Sequence, residues 1–196
     1  MEQKQRELID IEGVYQFWKD WAQKLEKKDV TVRVADFDYT LFSRDEQLEN
    51  EPGLKDNRWD DGPKFIFREI WMMKFLEKYH KDKPLPQEIL SQMNPEYDAI
   101  ITAGVYEFQK GKVCMYRELD PFHTIITANG KDKIAELIRY VLFDLKFLPK
   151  EIIIYEDRPH YFIEHRDLLE DVLECKLTIM YVEMDGNKWY SKIEQI

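Results

Sequence analysis

The stretch Val34-Ala35-Asp36-Phe37-Asp38-Tyr39-Thr40-Leu41-Phe42 sets two carboxylates two residues apart, directly after an apolar, β-branched run. Paired negative charge at the end of a buried strand calls for a compensating cation or a helix N-terminus. Further along, other apolar runs also end in groups suited to chemistry. Thr102 closes AIIT, Lys131 and Lys133 follow HTIITAN, and Glu156 and Asp157 follow IIIY. Carboxylates, a hydroxyl and a lysine brought to one edge would suit a divalent cation and a phosphate. Hard cations take oxygen ligands, and magnesium commonly uses one or two carboxylates together with substrate phosphate. A carboxylate can also attack phosphorus and form an aspartyl-phosphate.

The elements that must position these groups can be read from periodicity. Ile11, Val14, Phe17, Trp18, Trp21 and Leu25 recur at helical spacing, which predicts an amphipathic helix over 11–28 with its aromatics toward the core. Residues 30–36 are β-branched and predict a strand. Residues 43–63 are polar with proline and glycine and predict a long loop, a length that often carries function. Pro63 suits the first turn of a helix over 64–80. A proline-rich connector with a short helical turn covers 81–96. Strands are then predicted at 98–104, 123–129, 151–157 and 176–185, with helices at 105–119, 131–145 and 160–173; Gly111 weakens the first of these helices. This alternation predicts an α/β fold with a Rossmann-like, three-layer core. Its central sheet would be mostly parallel and five-stranded, with helices on both faces. Ligands of such a sheet bind beyond the carboxyl ends of its strands.

Bulk properties narrow the class. A chain of 196 residues suits a single domain, with 43–97 as an insertion. A formal net charge of −10 disfavours extended duplex binding, although a local basic patch can still grip a phosphorylated end. Cys114 and Cys175 lack metal-ligand spacing and read as reduced thiols of a cytoplasmic protein. The start MEQKQRELID lacks an apolar signal core, and no run approaches the roughly 18 apolar residues of a membrane span.

Asp36-Phe37-Asp38-Tyr39-Thr40 resembles the first motif of the haloacid dehalogenase-like superfamily, DxDx[TV] after an apolar strand. Thr102 resembles the second motif, Lys133 the third, and the acidic pair of IIIYED the fourth, in the right order across 30–185. The resemblance implies a magnesium-dependent phosphatase. Asp36 would be the nucleophile and a metal ligand. Asp38 would be the general acid and then the base, with its backbone carbonyl on the metal. Thr102 would hold a phosphate oxygen, Lys133 would neutralise charge, and Asp157 would bind metal with support from Glu156. A second acid at Asp38 disfavours dehalogenation. Thr127 rivals Thr102, and Lys131 rivals Lys133. Tyr39, where relatives often have glycine, would lie near the mouth.

The interval 43–97, where the superfamily inserts a cap, leaves room for a flap and not a large cap. Within it, Arg44, Lys55, Arg58 and Trp59 are candidates to grip phosphate or stack on a base. YEDRPHYF resembles the corresponding phrase of polynucleotide-phosphatase and RNA-repair-associated domains of this superfamily, which would set Arg158 and His160 at the mouth. The expected substrate is a phosphorylated small molecule, a nucleotide or a nucleic-acid end. The competing expectation is an idle module of the same fold that binds a partner, and transfer to an acceptor other than water also stays open. His80, His123 and His165 are expected to be surface or satisfied residues.

Overall fold

The apolar runs that end at Ala35, Ala103, Thr127 and Glu156 form neighbouring parallel strands. The computed structural model describes residues 13–50, 65–185 and 189–196. A helix over 13–22 (α1) leads to β1 (Glu26–Ala35), α2 (Asp45–Asn50), α3 (Phe65–Tyr79) and α4 (Gln87–Leu90). There follow β2 (Ala99–Ala103), α5 (Tyr106–Cys114), a 3-10 turn (Arg117–Leu119) and β3 (His123–Thr127). Helix α6 (Asp132–Arg139) runs on into a π-helical turn (Tyr140–Leu145). The chain ends with β4 (Phe147–Glu156), α7 (His160–Glu164), α8 (Arg166–Leu173), β5 (Lys176–Asp185) and β6 (Trp189–Gln195).

Among the described residues the strands form one six-stranded sheet of order β3-β2-β1-β4-β5-β6. The first five are mutually parallel, and β6 pairs antiparallel with β5. The expected five-stranded sheet is thus corrected to six. Side chains alternate between two cores, as a doubly covered sheet requires. Val32, Val34, Ile152 and Ile154 face a cluster that includes Ala22, Leu137, Ile138, Val172 and Leu173, so α1, α6 and α8 cover that face. Ala35, Ile100 and Tyr155 face the other cluster, with Ile89, Leu90, Val113 and Leu119. Helix α5 keeps Gly111 because α3 lies close. A Cβ there would stand 2.6 Å from Leu76 Cδ1.

Several boundaries differ from the periodicity reading; among them, β4 begins at Phe147 and α5 ends at Cys114. The first helix stops at 22, and β1 begins at Glu26, because Glu26, Lys27 and Lys28 pair with Phe147, Leu148 and Pro149 of β4. The predicted helix over 160–173 is two helices that meet at His165. The predicted loop after β1 contains α2, while its stretch 51–63 lies outside the described residues. So do Lys55, Arg58 and Trp59. No helix among the described residues is long and apolar enough to cross a membrane.

Candidate active site

The strand order reverses at β1: the chain leaves it toward β2 and β3, then returns to its other side as β4. Open α/β sheets hold their ligands in the crevice at such a point. The register puts the acidic groups there. Ala35 pairs with Tyr155, and the Asp36 N–H donates to the Tyr155 carbonyl at 2.9 Å, so Asp36 lies level with Glu156. Beyond Asp36 the chain folds tightly back. The Phe37 carbonyl accepts from the Leu41 and Phe42 N–H groups, both at 2.9 Å, and Tyr39 takes the left-handed conformation at φ 60°. Phe37, Leu41 and Phe42 are buried beneath this loop, with the Phe37 and Phe42 rings stacked at 5.9 Å. Apolar anchoring on both sides of Asp38 holds the two carboxylates at the strand end.

The site has two halves. In the first, Asp36, Glu156 and Asp157 bring one carboxylate oxygen each to within 4.8 Å of one another. Lys133, nearly buried at the start of α6, reaches Glu156 Oε2 at 2.6 Å and Asp36 Oδ1 at 3.0 Å. The second contact is an ion pair without hydrogen-bond alignment, and Asp36 Oδ1 has no hydrogen-bond partner among the described residues. Burial, followed by the neighbouring Glu156 charge, pushes the Asp36 carboxyl up to about 7 against the pull of Lys133. Burial and the charge of Asp36 push Asp157 up to about 6. Burial lowers the Lys133 ammonium, but the Asp36 and Glu156 charges outweigh it and leave its pKa above the ordinary lysine value. Three carboxylates around one lysine leave the cluster short of positive charge. Its hard oxygen donors could hold a hard divalent cation, of which magnesium is one.

The second half surrounds Asp38. Lys112 Nζ holds both its oxygens, at 2.6 and 2.5 Å, and Arg44 Nη1 lies 3.8 Å from Oδ2. Burial alone would raise the Asp38 carboxyl. Lys112 and then Arg44 overcome it and hold the group below its ordinary value. Asp38 therefore stands as a carboxylate. The buried Thr102 hydroxyl donates to Gln109 Oε1 at 3.2 Å, and Gln109 Nε2 donates to the Ala103 carbonyl at 2.9 Å and reaches Asp38 Oδ2 at 3.5 Å. Gly104 gives Gln109 its room. Its φ is 143°, and a Cβ would stand 2.7 Å from Gln109 Nε2. Thr127 lies one strand further out, on β3, and its hydroxyl donates to the Asn129 carbonyl at 2.8 Å. The structure thus ties Thr102, through Gln109, to Asp38.

The remaining candidates spread around this centre. Tyr39 is partly buried and senses the charges of Asp45, Arg44, Asp38 and Arg158. Arg158 is 74% exposed, with Nε 3.5 Å from Asp157 Oδ2. His160 is exposed, its ring 3.9 Å from that of Tyr161, and Lys131 is also exposed. His165 Nδ1 contacts the Tyr161 carbonyl at 2.8 Å. His123 lies 3.9 Å from Asp144. His80 is fully buried. With Gln47 Nε2 as donor at 2.9 Å, His80 Nε2 accepts and Nδ1–H donates to Tyr116 Oη at 3.0 Å. Burial lowers this imidazole to about 3, so it is neutral and joins α2 to the core. Cys114 and Cys175 are free thiols. The periodicity reading singled out neither Lys112 nor Gln109, although their i, i+3 spacing puts them side by side on α5.

Comparison of the chain with protein-family models, curated proteins and solved structures returned no match. The functional reading therefore rests on the site.

The raised carboxyls carry a stability consequence. Between about pH 4 and 7 the folded protein binds more protons at Asp36 and Asp157 than the unfolded chain does. Stability is then highest below the ordinary carboxylate pKa and falls as pH rises through about 6 and 7. Asp38, whose pKa is lowered, acts only at more acidic pH. Melting in EDTA is expected to fall by roughly 5–10 °C between pH 5 and pH 8, with magnesium at pH 8 restoring much of it. A flat or rising profile in EDTA would show that the cluster ionises without penalty.

Proposed function

We propose that the protein is a magnesium-dependent phosphomonoester hydrolase that works through an aspartyl-phosphate on a haloacid dehalogenase-like frame. The observation that carries this reading is the cluster of Asp36, Glu156 and Asp157 around Lys133 at the point where the sheet order reverses. Asp36, Glu156 and Asp157, with the Asp38 backbone carbonyl, would hold magnesium. Bound there, the ion supplies charge neutralisation for the phosphate oxygens and fixes their orientation.

The chain's own residues divide the work. The Asp36 carboxylate attacks phosphorus, and the bond from phosphorus to the ester oxygen breaks. Lys133 balances the charge of nucleophile and phosphoryl group. Thr102 and nearby backbone N–H groups receive a phosphate oxygen. Asp38 serves the leaving oxygen, which needs a proton; a phosphomonoester monoanion brings one with it, for Asp38 to pass on. In the second step Asp38, again a carboxylate, takes a proton from water. That water attacks phosphorus, the bond to Asp36 breaks, and phosphate leaves.

Arg158, exposed beside Asp157, and the partly buried Tyr39 would meet an incoming substrate. A nucleotide, a phosphorylated nucleic-acid end or another phosphorylated small molecule fits this reading, whereas the −10 net charge weighs against long duplexes. The test is phosphate release from aryl phosphate, 5′- and 3′-nucleotides, phosphorylated RNA and DNA ends and sugar phosphates. Turnover that needs magnesium and stops with EDTA is expected. Silence across the panel from folded protein would overturn the hydrolase and favour the partner-binding alternative.

A further inference from the structure

Lys112 is a fully buried ammonium, and burial lowers its pKa. Two of its three N–H groups chelate the two Asp38 oxygens. Its Nζ also lies 5.4 Å from the Phe37 ring centroid and 5.1 Å from that of Phe108. A buried ion pair is a weak stabilising device, because apolar residues of similar size do as well or better. What this arrangement supplies is direction. Chelation of both oxygens fixes the plane of the carboxylate, the aromatic walls hold the ammonium, and Gln109, one helical step away, joins Asp38 to Thr102.

We propose that Lys112 is a positioning residue that holds Asp38 in the orientation from which it serves the leaving oxygen. This inference rests on the hydrolase reading above. Lys112 then acts only through Asp38, and in the step that cleaves the ester it matters only where the ester oxygen needs a proton. An alkyl ester leaves as a strong base and depends on that proton, whereas an activated aryl ester leaves without it.

The experiment compares the single-turnover rate of ester cleavage, which precedes the water step, for parent, Lys112→Met, Asp38→Asn and the double variant on an alkyl phosphate and on p-nitrophenyl phosphate, with melting curves for each. Lys112→Met is expected to lose roughly 30–100-fold on the alkyl ester and less than about 5-fold on the aryl ester. The double variant should match Asp38→Asn on both esters, because the lysine has nothing left to position. Equal losses on the two esters in folded Lys112→Met would overturn the proposal, as would unchanged rates. If Lys112→Met leaves Asp38 too strained to fold, the double variant, which removes both charges, still decides. A further loss beyond Asp38→Asn would show that Lys112 acts elsewhere. A parent inactive on both esters refutes the hydrolase instead, so the two failures are distinguishable.

Discussion

Asp36→Asn is expected to abolish phosphate release and, in EDTA, to leave the protein more stable than the parent. The two effects share one cause. Asp36 is 6% exposed, lies beside Glu156 and Asp157, and keeps one oxygen without a hydrogen-bond partner among the described residues. A nucleophile for phosphorus needs a lone pair that no hydrogen bond ties up, yet the folded protein holds the charge at a cost. The rise from 3.8 to about 7 corresponds to an upper bound of about 4 kcal/mol above neutral pH. Asparagine keeps the shape, removes the charge and leaves Lys133 to Glu156. Turnover should drop on the order of 10³-fold or more, because Asp36 is the nucleophile of the proposed reaction. Melting at pH 8 in EDTA should rise by roughly 3–8 °C. Magnesium, which should stabilise the parent, should do little for the variant, because one of its carboxylates is gone. An active variant would remove Asp36 from the chemistry. A less stable one would mean that its carboxylate is a structural partner of Lys133.

The groups along β1 and β4 were legible because their signal is local. An apolar run that ends in carboxylates, read against the rule that ligands bind beyond parallel strand ends, already brings Asp36, Asp38, Glu156 and Asp157 together. Lys133 opens the helix that follows β3 and falls to the same edge. Lys112 and Gln109 carry no such signal. In YEFQKGKVC the buried positions Gln109 and Lys112 are polar because they face Thr102 and Asp38, while Val113 beside them meets apolar core, so the helix shows no clean apolar stripe. His80 is similar: its partners Gln47 and Tyr116 are 33 and 36 residues away. The early start of β1 was hidden because Glu26, Lys27 and Lys28 have no strand character of their own and extend only because β4 offers them a partner. Strand β6 was different. Asp185-Gly186-Asn187 between two runs with β-forming residues is a hairpin signal, and it was available in the sequence.

Lys133→Met should be the most destabilising single change at the site, and magnesium should separate its two roles. Lys133 Nζ lies 2.6 Å from Glu156 and 3.0 Å from Asp36, with its side chain 6% exposed. Methionine fills much of the same volume but leaves Asp36 and Glu156 without their cation, with Asp157 close by. Breaking one side of a buried ion pair typically costs 3–5 kcal/mol, about 6–20 °C in melting for a chain of this size. The carboxylates can relieve part of that by taking up protons, so the loss should be smaller at pH 5 than at pH 8. Magnesium should also relieve it, because a cation in the cluster replaces the missing charge. Activity should behave differently. A lysine that neutralises the nucleophile and the transferred phosphoryl group acts on the transition state, and its removal should lower turnover by roughly 10²–10³-fold even in saturating magnesium. Melting curves with and without magnesium at both pH values, beside turnover of the same samples, measure each part. If magnesium restored stability and turnover together, Lys133 would be a structural counter-ion alone. If it restored neither, the three carboxylates would not be the cation site that the proposed hydrolase requires.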